Sequence, residues 1–143
     1  MTASPDDDDE VGRPAGDAYD WYVRGHQLLA SGNPAAAAQL LRHAVEAEPG
    51  SRSAREALAR ALFDARHYRE ARAVFATIID ENPSDDYAHF GLGLAAFRSG
   101  DHRAAVEHLS LAAAMKPAEH HYATALRAAR VRLEAEEPRD DDA

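Results

Sequence analysis

The strongest constraint on the fold of this 143-residue chain is a repeat of 34 residues. Shifting the sequence against itself by that length aligns three stretches, residues 18–51, 52–85 and 86–119. Proline, small residues and apolar residues then recur in columns, namely Pro49, Pro83 and Pro117; Ala37, Ala71 and Ala105; Leu41, Phe75 and Leu109; Gly25, Ala59 and Gly93; and Ala44, Ile78 and Ala112. Because proline fills about 5% of positions in proteins, the proline column alone arises by chance about once in 400 cases. The chain is therefore built from three similar units.

Each unit contains the signals of two helices. In the first unit the leading helix ends at Gly32, and a second helix starts with Asn33 as the predicted capping side chain and Pro34 at the first helical position. In the third unit Gly100 and Asp101 play the same parts. Proline disfavours helical geometry in the residue before it, so the column proline ends each second helix. The predicted unit is a helix-turn-helix pair.

The small residues predict where paired helices approach closely. We expect Gly25 to face Ala37, and Gly93 to face Ala105, since a larger side chain would separate the helices. The large apolar column is expected to pack one unit on the next, through Leu41, Phe75 and Leu109.

Composition and charge indicate one folded domain between two acidic tails. The chain is 45% hydrophobic and 29% charged, and its formal charge of -9 is concentrated at its ends. Residues 1–16 and 136–143 each carry five acids and one arginine, which together give -8. We expect disordered tails over 1–16 and 137–143 and a folded domain over 17–136.

Several protein classes are excluded or disfavoured by the same composition. The absence of cysteine removes disulfides, thiolate catalysis and iron–sulfur clusters. No apolar run approaches the ~20 residues that cross a bilayer, and the acidic start is unlike a signal peptide. We therefore expect a cytoplasmic protein without a membrane partner.

The repeat pattern resembles the tetratricopeptide repeat (TPR) family. The matching residues of the first unit are Trp21, Gly25, Leu28, Ala37, Leu41, Ala44 and Pro49, and those of the third are Leu92, Gly93, Ala105, Leu109, Ala112 and Pro117. The resemblance implies an all-α, right-handed superhelical solenoid of three helix-turn-helix units plus a C-terminal capping helix over 120–136. Three residues depart from the pattern: Arg24 in a leucine column, His89 in the tryptophan column, and Arg127 at a small position.

The resemblance also implies a concave groove, lined by the first helix of each unit, that binds a peptide or helix of another protein. The family positions carried over include Tyr19, Leu29, Glu56 and Asp64. The candidate site consists of nine further positions of this set, namely Tyr22, His26, Arg60, Phe63, Tyr87, Phe90, Leu94, Phe97 and Arg98. Spacing supports a common face independently, because Phe90, Leu94 and Phe97 lie at i, i+4 and i+7.

The preferred ligand is an apolar or amphipathic segment. It would pack on Phe63, Phe90, Leu94 and Phe97, while Arg60 and Arg98 contact an acidic group. In the alternative interpretation, Phe63 and Phe97 only fill the gap between neighbouring helices. One TPR subgroup binds terminal carboxylates of chaperones through a lysine, asparagine and arginine clamp. That ligand is disfavoured, because the corresponding positions here are Tyr22, His26, Ser53, Ala57 and Gly91.

The second unit is rich in arginine, with Arg52, Arg55, Arg60, Arg66, Arg69 and Arg72. These side chains could attract phosphate or an acidic peptide. The favoured interpretation is a solvated face with i, i+4 pairs such as Glu56 with Arg60 and Arg66 with Glu70. Nucleic-acid binding is not expected, because the body of the chain is slightly acidic.

Catalytic motifs are weak or absent. Residues 91–96 read G-x-G-x-x-A, but a helix start precedes them instead of the strand that a dinucleotide site needs, and Gly93 already has a packing role. The eight histidines lack the spacing of a helical metal site. We expect no enzyme activity, cofactor or metal. The predicted function is a protein–protein interaction module, an adaptor or chaperone-like protein that is monomeric in isolation. The alternative is a structural subunit that self-associates through its terminal repeat faces.

Overall fold

The computed structural model describes residues 14–138, and this part of the chain contains seven α-helices and no strand. The helices are α1 Ala18–Ala30, α2 Pro34–Ala47, α3 Arg52–Asp64, α4 Tyr68–Glu81, α5 Asp86–Arg98, α6 His102–Met115 and α7 His120–Glu136. The first residues of α1, α3, α5 and α7 are successively 34 positions apart. Each helix packs mainly on its neighbours in sequence, so three antiparallel pairs and a last helix stack into an all-α solenoid. The fold predicted from the repeat is confirmed.

Side-chain caps start most of the first helices. Asp17 forms a capping box with Asp20, and the side chains of Ser51 and Asp85 accept hydrogen bonds from the first turns of α3 and α5. Asp101 caps α6 as predicted. The prediction for Asn33 is wrong, because its amide donates back to Ser31 Oγ at 3.1 Å and makes no capping hydrogen bond.

The turns within the pairs use a left-handed residue. Gly32 and Gly100 have φ values of +81° and +85°, which glycine adopts without strain. The equivalent residue of the second pair is Arg66, at φ +65°, so the same turn is made there by a residue with a Cβ. The second helices end at Ala47, Glu81 and Met115, each two residues before a column proline.

Close helix approach is confirmed, but with different partners from those expected. A Cβ on Gly25 would lie 2.5 Å from Cγ of Leu41, and one on Gly93 would lie 2.7 Å from Cγ of Leu109. The side chain nearest to each of these glycines is therefore the large apolar residue of its own unit, Leu41 or Leu109, instead of Ala37 or Ala105. Phe75 differs, because its ring packs on Gly91 of the next pair.

The two ends of the solenoid are more polar than its middle. Leu58, Leu92 and Leu126 are buried, whereas Arg24 in the same column is exposed and donates to the carbonyl of Ala15 at 3.1 Å. No helix pair precedes α1 in the described residues, so this column faces solvent there. Arg127 is likewise exposed on the last helix.

The predicted acidic tails lie mostly outside the described residues. Of the N-terminal tail the structure describes only residues 14–16, which lie along α1. There the indole Nε1 of Trp21 is 3.2 Å from the carbonyl oxygen of Pro14 and 3.3 Å from that of Ala15. The runs Asp6 to Glu10 and Asp140 to Asp142 are not described, and their disorder stays a prediction.

Candidate functional site

All nine predicted site residues lie on the first helices of the three pairs. Tyr22 and His26 are on α1, Arg60 and Phe63 are on α3, and the other five are on α5. None is fully buried: the aromatic residues and Leu94 are half-buried, and His26, Arg60 and Arg98 are exposed. Their side chains are therefore available to a ligand at the surface.

Four of the nine line one cavity of about 110 Å³ between α1, α3 and α5. We call it the central cleft; its lining residues are Tyr22, His26, Ser53, Glu56, Ala57, Arg60 and Tyr87. Glu56, Ser53 and Ala57 were absent from the predicted list of nine. The sequence spacing nevertheless places Glu56 on the groove-lining face, because it precedes Arg60 by four residues and shares its helix face.

A second cavity of about 310 Å³ adjoins the central cleft, since Tyr22 and Ser53 line both. It lies between α1, the end of α2 and the start of α3, and Tyr19 and Glu48 are among its lining residues. Glu48 follows α2, so reasoning from the first helices alone could not include it. The two cavities make one polar depression at the N-terminal end of the groove.

The other end of the groove is aromatic; we use "aromatic end" for Phe90, Leu94 and Phe97. The ring of Phe90 packs against Tyr122 and His121 of α7, at centroid distances of 4.6 and 5.1 Å. Both phenylalanines are partly buried against the core cluster of α5, α6 and α7. The aromatic end thus continues from α5 onto α7.

Phe63 and Phe97 also pack within their own helix pairs. Phe63 meets Tyr68 edge-on at 5.2 Å, and Phe97 meets His102 at 5.4 Å. Tyr68 and His102 are the first residues of α4 and α6, so each ring helps to close the turn of its pair. Both rings are half-buried and keep an exposed portion. The packing contact and a contact with a ligand are compatible.

The central cleft contains ionisable groups that burial perturbs. Burial raises the pKa of the Glu56 carboxyl, and the nearby acids Asp85 and Asp86 raise it further, against the lowering effect of Arg52 and Arg60. Burial likewise raises the pKa of the Tyr87 hydroxyl. Tyr87 therefore stays a neutral hydrogen-bond donor near neutral pH, while Glu56 is a carboxylate with incomplete solvation.

Three of the six arginines of the second unit form ion pairs with acids of other helices or of the turns beside them. Arg52 contacts Asp85 at 2.7 Å, Arg72 contacts Asp101 at 3.1 Å, and Arg55 pairs with Glu81. The local i, i+4 pairs that the sequence indicated, Glu56 with Arg60 and Arg66 with Glu70, do not form within residues 14–138. Arg66 lies in a turn instead of on a helix, and Glu70 pairs with Arg42 at 2.6 Å.

A histidine pair lies outside the groove. His89 is buried, its Nε2 is 2.8 Å from the carbonyl oxygen of Pro83, and its Nδ1 is 3.0 Å from Nδ1 of His108. Since the carbonyl can only accept a hydrogen bond, Nε2 of His89 is the donor to it, and Nδ1 of His89 is then the acceptor for Nδ1–H of His108. Burial and the neighbouring His89 lower the pKa of His108. His89 occupies the repeat position that Trp21 has in the first unit.

The fragment that reads G-x-G-x-x-A is a packing element. Residues 91–96 lie in the middle of α5, and the spaces beside Gly91 and Gly93 are filled by Phe75 and Leu109. A nucleotide phosphate has no room there. In the part of the chain that is described, no three histidine or acidic side chains converge in an arrangement that could hold a metal ion.

Comparison with known proteins supports the repeat architecture. The family model described as tetratricopeptide repeat matches residues 28–95. No curated protein matches the sequence significantly. Among the helices of residues 14–138, none combines the length and the apolar character that crossing a bilayer requires.

Solved structures share the fold at low sequence identity. MamA (residues 41 to the end) from Desulfovibrio magneticus RS-1 superposes with a TM-score of 0.78 and 23% identity, over 82% of this chain and 67% of MamA. The first TPR of Spaghetti (RPAP3), bound to the HSP90 peptide SRMEEVD, gives 0.77 and 18%, over 82% and 94%. YrrB, described as a TPR protein with an unusual peptide-binding site, gives 0.72 and 24%, over 80% and 58%.

Proposed function

We propose that this chain, whose residues 28–95 match the tetratricopeptide repeat family model, is a protein–protein interaction module. It would act as an adaptor or chaperone-like protein that binds a peptide or helix of a partner in its concave groove. The observation that carries the proposal is the alignment of half-exposed residues along α1, α3 and α5, which joins a polar depression to an aromatic end. An amphipathic segment would place its apolar side chains on Phe90, Leu94 and Phe97.

Two solved neighbours support this mode of binding. The first TPR of Spaghetti is bound to a chaperone peptide, and YrrB has a peptide-binding site. The ligand of this chain would differ from the acidic chaperone peptide. The positions of the carboxylate clamp carry neutral residues and a histidine, and Glu56 would repel an acidic segment in the central cleft.

The proposal is tested by a charge introduced at the aromatic end. We expect the double variant Phe90→Arg with Phe97→Arg to lose partners that the wild type captures from its native host, because guanidinium groups would replace the apolar contact surface. The matched control is Leu111→Arg with Met115→Arg, which adds the same charge on α6 at two exposed apolar positions. Retention of every partner by the groove variant would refute the proposal.

Folding must be separated from binding, because Phe90 packs on Tyr122. A second variant, Arg98→Glu, changes an exposed side chain in the last turn of α5. It should leave the circular dichroism spectrum and thermal midpoint unchanged while weakening capture of a partner whose acidic group contacts Arg98.

Self-association is the second candidate function. Two of the most exposed large apolar side chains are Tyr19 on α1 and Val131 on α7, at 71% and 64% exposure, so the first and last helices both present apolar surface. Head-to-tail contact between copies would cover them. Sedimentation velocity decides between the two: a mass that rises with concentration supports assembly, and a constant monomer mass supports the interaction module.

We further propose that the protein acts as a monomer in the cytoplasm, without catalytic activity, bound metal or nucleic-acid partner. The lack of catalytic activity is supported by the central cleft, where Ser53, His26 and Glu56 form no hydrogen bond with one another within residues 14–138, as a nucleophile and its base would.

A further inference from the structure

The polar depression of the groove is acidic. The central cleft and the adjoining cavity together contain Glu48 and Glu56, against Arg60 as their one permanently charged cation. Two carboxylates and one guanidinium give their lining a net charge of -1. A positively charged side chain is therefore the complementary ligand group.

Glu56 is a partly buried acid without an ion-pair partner in the described chain. It is half-buried, its pKa is raised by burial, and it forms no hydrogen bond or ion pair within residues 14–138. Acids elsewhere in the described chain, such as Glu70, Asp85 and Asp101, each contact an arginine. A partly desolvated carboxylate gains most from a cation that reaches it.

The nearby arginines do not supply that cation. Arg52 is held at 2.7 Å by the buried carboxylate of Asp85. Arg60 lies one turn after Glu56 and lines the same cleft, but it is exposed and the two side chains form no ion pair within residues 14–138. The position beside Glu56 is left for a group from outside the chain.

Two tyrosines make the same position suitable for a cation. Tyr22 and Tyr87 line the central cleft with Glu56, and both rings are positioned by aromatic neighbours. Tyr22 packs edge-on against His26 at 4.5 Å, and Tyr87 against Phe75 at 6.1 Å. Aromatic rings attract lysine and arginine through their π-electrons, most strongly where water is partly excluded.

On the basis of the groove function proposed above, we propose that the part of the central cleft formed by Tyr22, Ser53, Glu56 and Tyr87 receives a lysine or arginine side chain of the bound segment. The cavity of about 110 Å³ exceeds several-fold the ~30 Å³ that one water molecule occupies, so a terminal ammonium or guanidinium group fits. The neighbouring residues of the segment would then run toward the aromatic end. Specificity for a basic amphipathic segment follows.

The test uses fluorescein-labelled mixtures of short apolar peptides in which one fixed residue is lysine, arginine, glutamine or glutamate. Affinities for the full chain are measured by fluorescence anisotropy. The lysine and arginine mixtures should bind about tenfold more tightly than the glutamine mixture, through the combined carboxylate and aromatic contacts. The glutamate mixture should bind most weakly, and high salt should reduce these differences.

Two variants locate the effect. Glu56→Gln removes the carboxylate with little change of shape, and it should abolish the preference for lysine and arginine while keeping the affinity for the glutamine mixture. Glu107→Gln, at an exposed residue of α6, removes the same charge outside the groove and should keep the preference. Circular dichroism checks that both variants fold.

The outcomes separate this inference from the groove function. Equal affinities for all four mixtures, together with weakened binding in Phe90→Arg with Phe97→Arg, would refute the cation pocket and support the groove. A lysine preference that persists in Glu56→Gln would also refute the pocket. Binding that the aromatic-end variant does not weaken, or no binding of any mixture, would refute both.

Discussion

Replacing Gly91 by alanine tests the close contact that joins the second and third helix pairs. A Cβ at this position would lie 2.2, 2.4 and 2.6 Å from Cζ, Cε1 and Cε2 of Phe75. Carbon atoms in contact are normally ~3.5 to 4.0 Å apart, so the ring would have to move by more than about 1 Å. Phe75 is only 2% exposed and belongs to the main core cluster, so its neighbours oppose that movement.

Two effects of opposite sign determine the size of the change. Alanine is better than glycine in a helix interior by about 1 kcal/mol, whereas overpacking a rigid core costs about 1 to 3 kcal/mol or more. Since the clash involves three ring atoms, we expect the clash to dominate and the free energy of unfolding to fall by about 1 to 2 kcal/mol. Guanidinium chloride unfolding, followed by circular dichroism, measures the change.

A control and a rescue make the result specific. Gly50→Ala places a methyl group where no atom lies within 4 Å, and it should leave stability unchanged or slightly raise it. Phe75→Leu removes the three clashing atoms, so it should cost less in the Gly91→Ala background than in the wild type. A Gly91→Ala variant as stable as the wild type, or strictly additive effects in the double variant, would refute the reasoning.

Three further changes have a stated direction. Arg66→Gly should raise the unfolding free energy by about 0.5 to 1 kcal/mol, because the residue sits at φ +65°, and thermal unfolding would show it. Asp85→Ala removes a buried cap and should cost about 2 kcal/mol in the same assay. The pKa of His108 is lowered from 6.5 in the folded chain, so below that pH the unfolded chain binds the proton more readily. The free energy of unfolding should therefore fall as the pH drops below 6.5. His108→Asn should make the free energy of unfolding less dependent on pH in this range.

The sequence allowed the fold to be predicted because its signals are local. The proline column ends the second helices, the turn glycines reverse the chain, and the period places every pair in the same relation to the next. The capping role of Asn33 and the arginine pairs were predicted wrongly because a polar side chain has several possible partners. The amide of Asn33 bonds to Ser31 in the same turn instead of capping α2, and the partners of the arginines lie on or beside other helices.

For the groove, the sequence could predict which residues share a helix face, but not which residues of different helices share a cavity. Helical spacing put Phe90, Leu94 and Phe97 on one side of α5, and in the structure all three are half-buried on that helix. Spacing could not show that Tyr22, Glu56 and Tyr87 share one cavity, since they belong to three different helices.

Repetition by itself thus determined the helix order, the turns and the surfaces that paired helices bury, because each depends on residues a few positions apart. The packing of the helices decided which polar groups are partly buried without an ion-pair partner, Glu56 among them. Solvation and charge depend on everything within several ångströms, and most of those neighbours are distant in the chain.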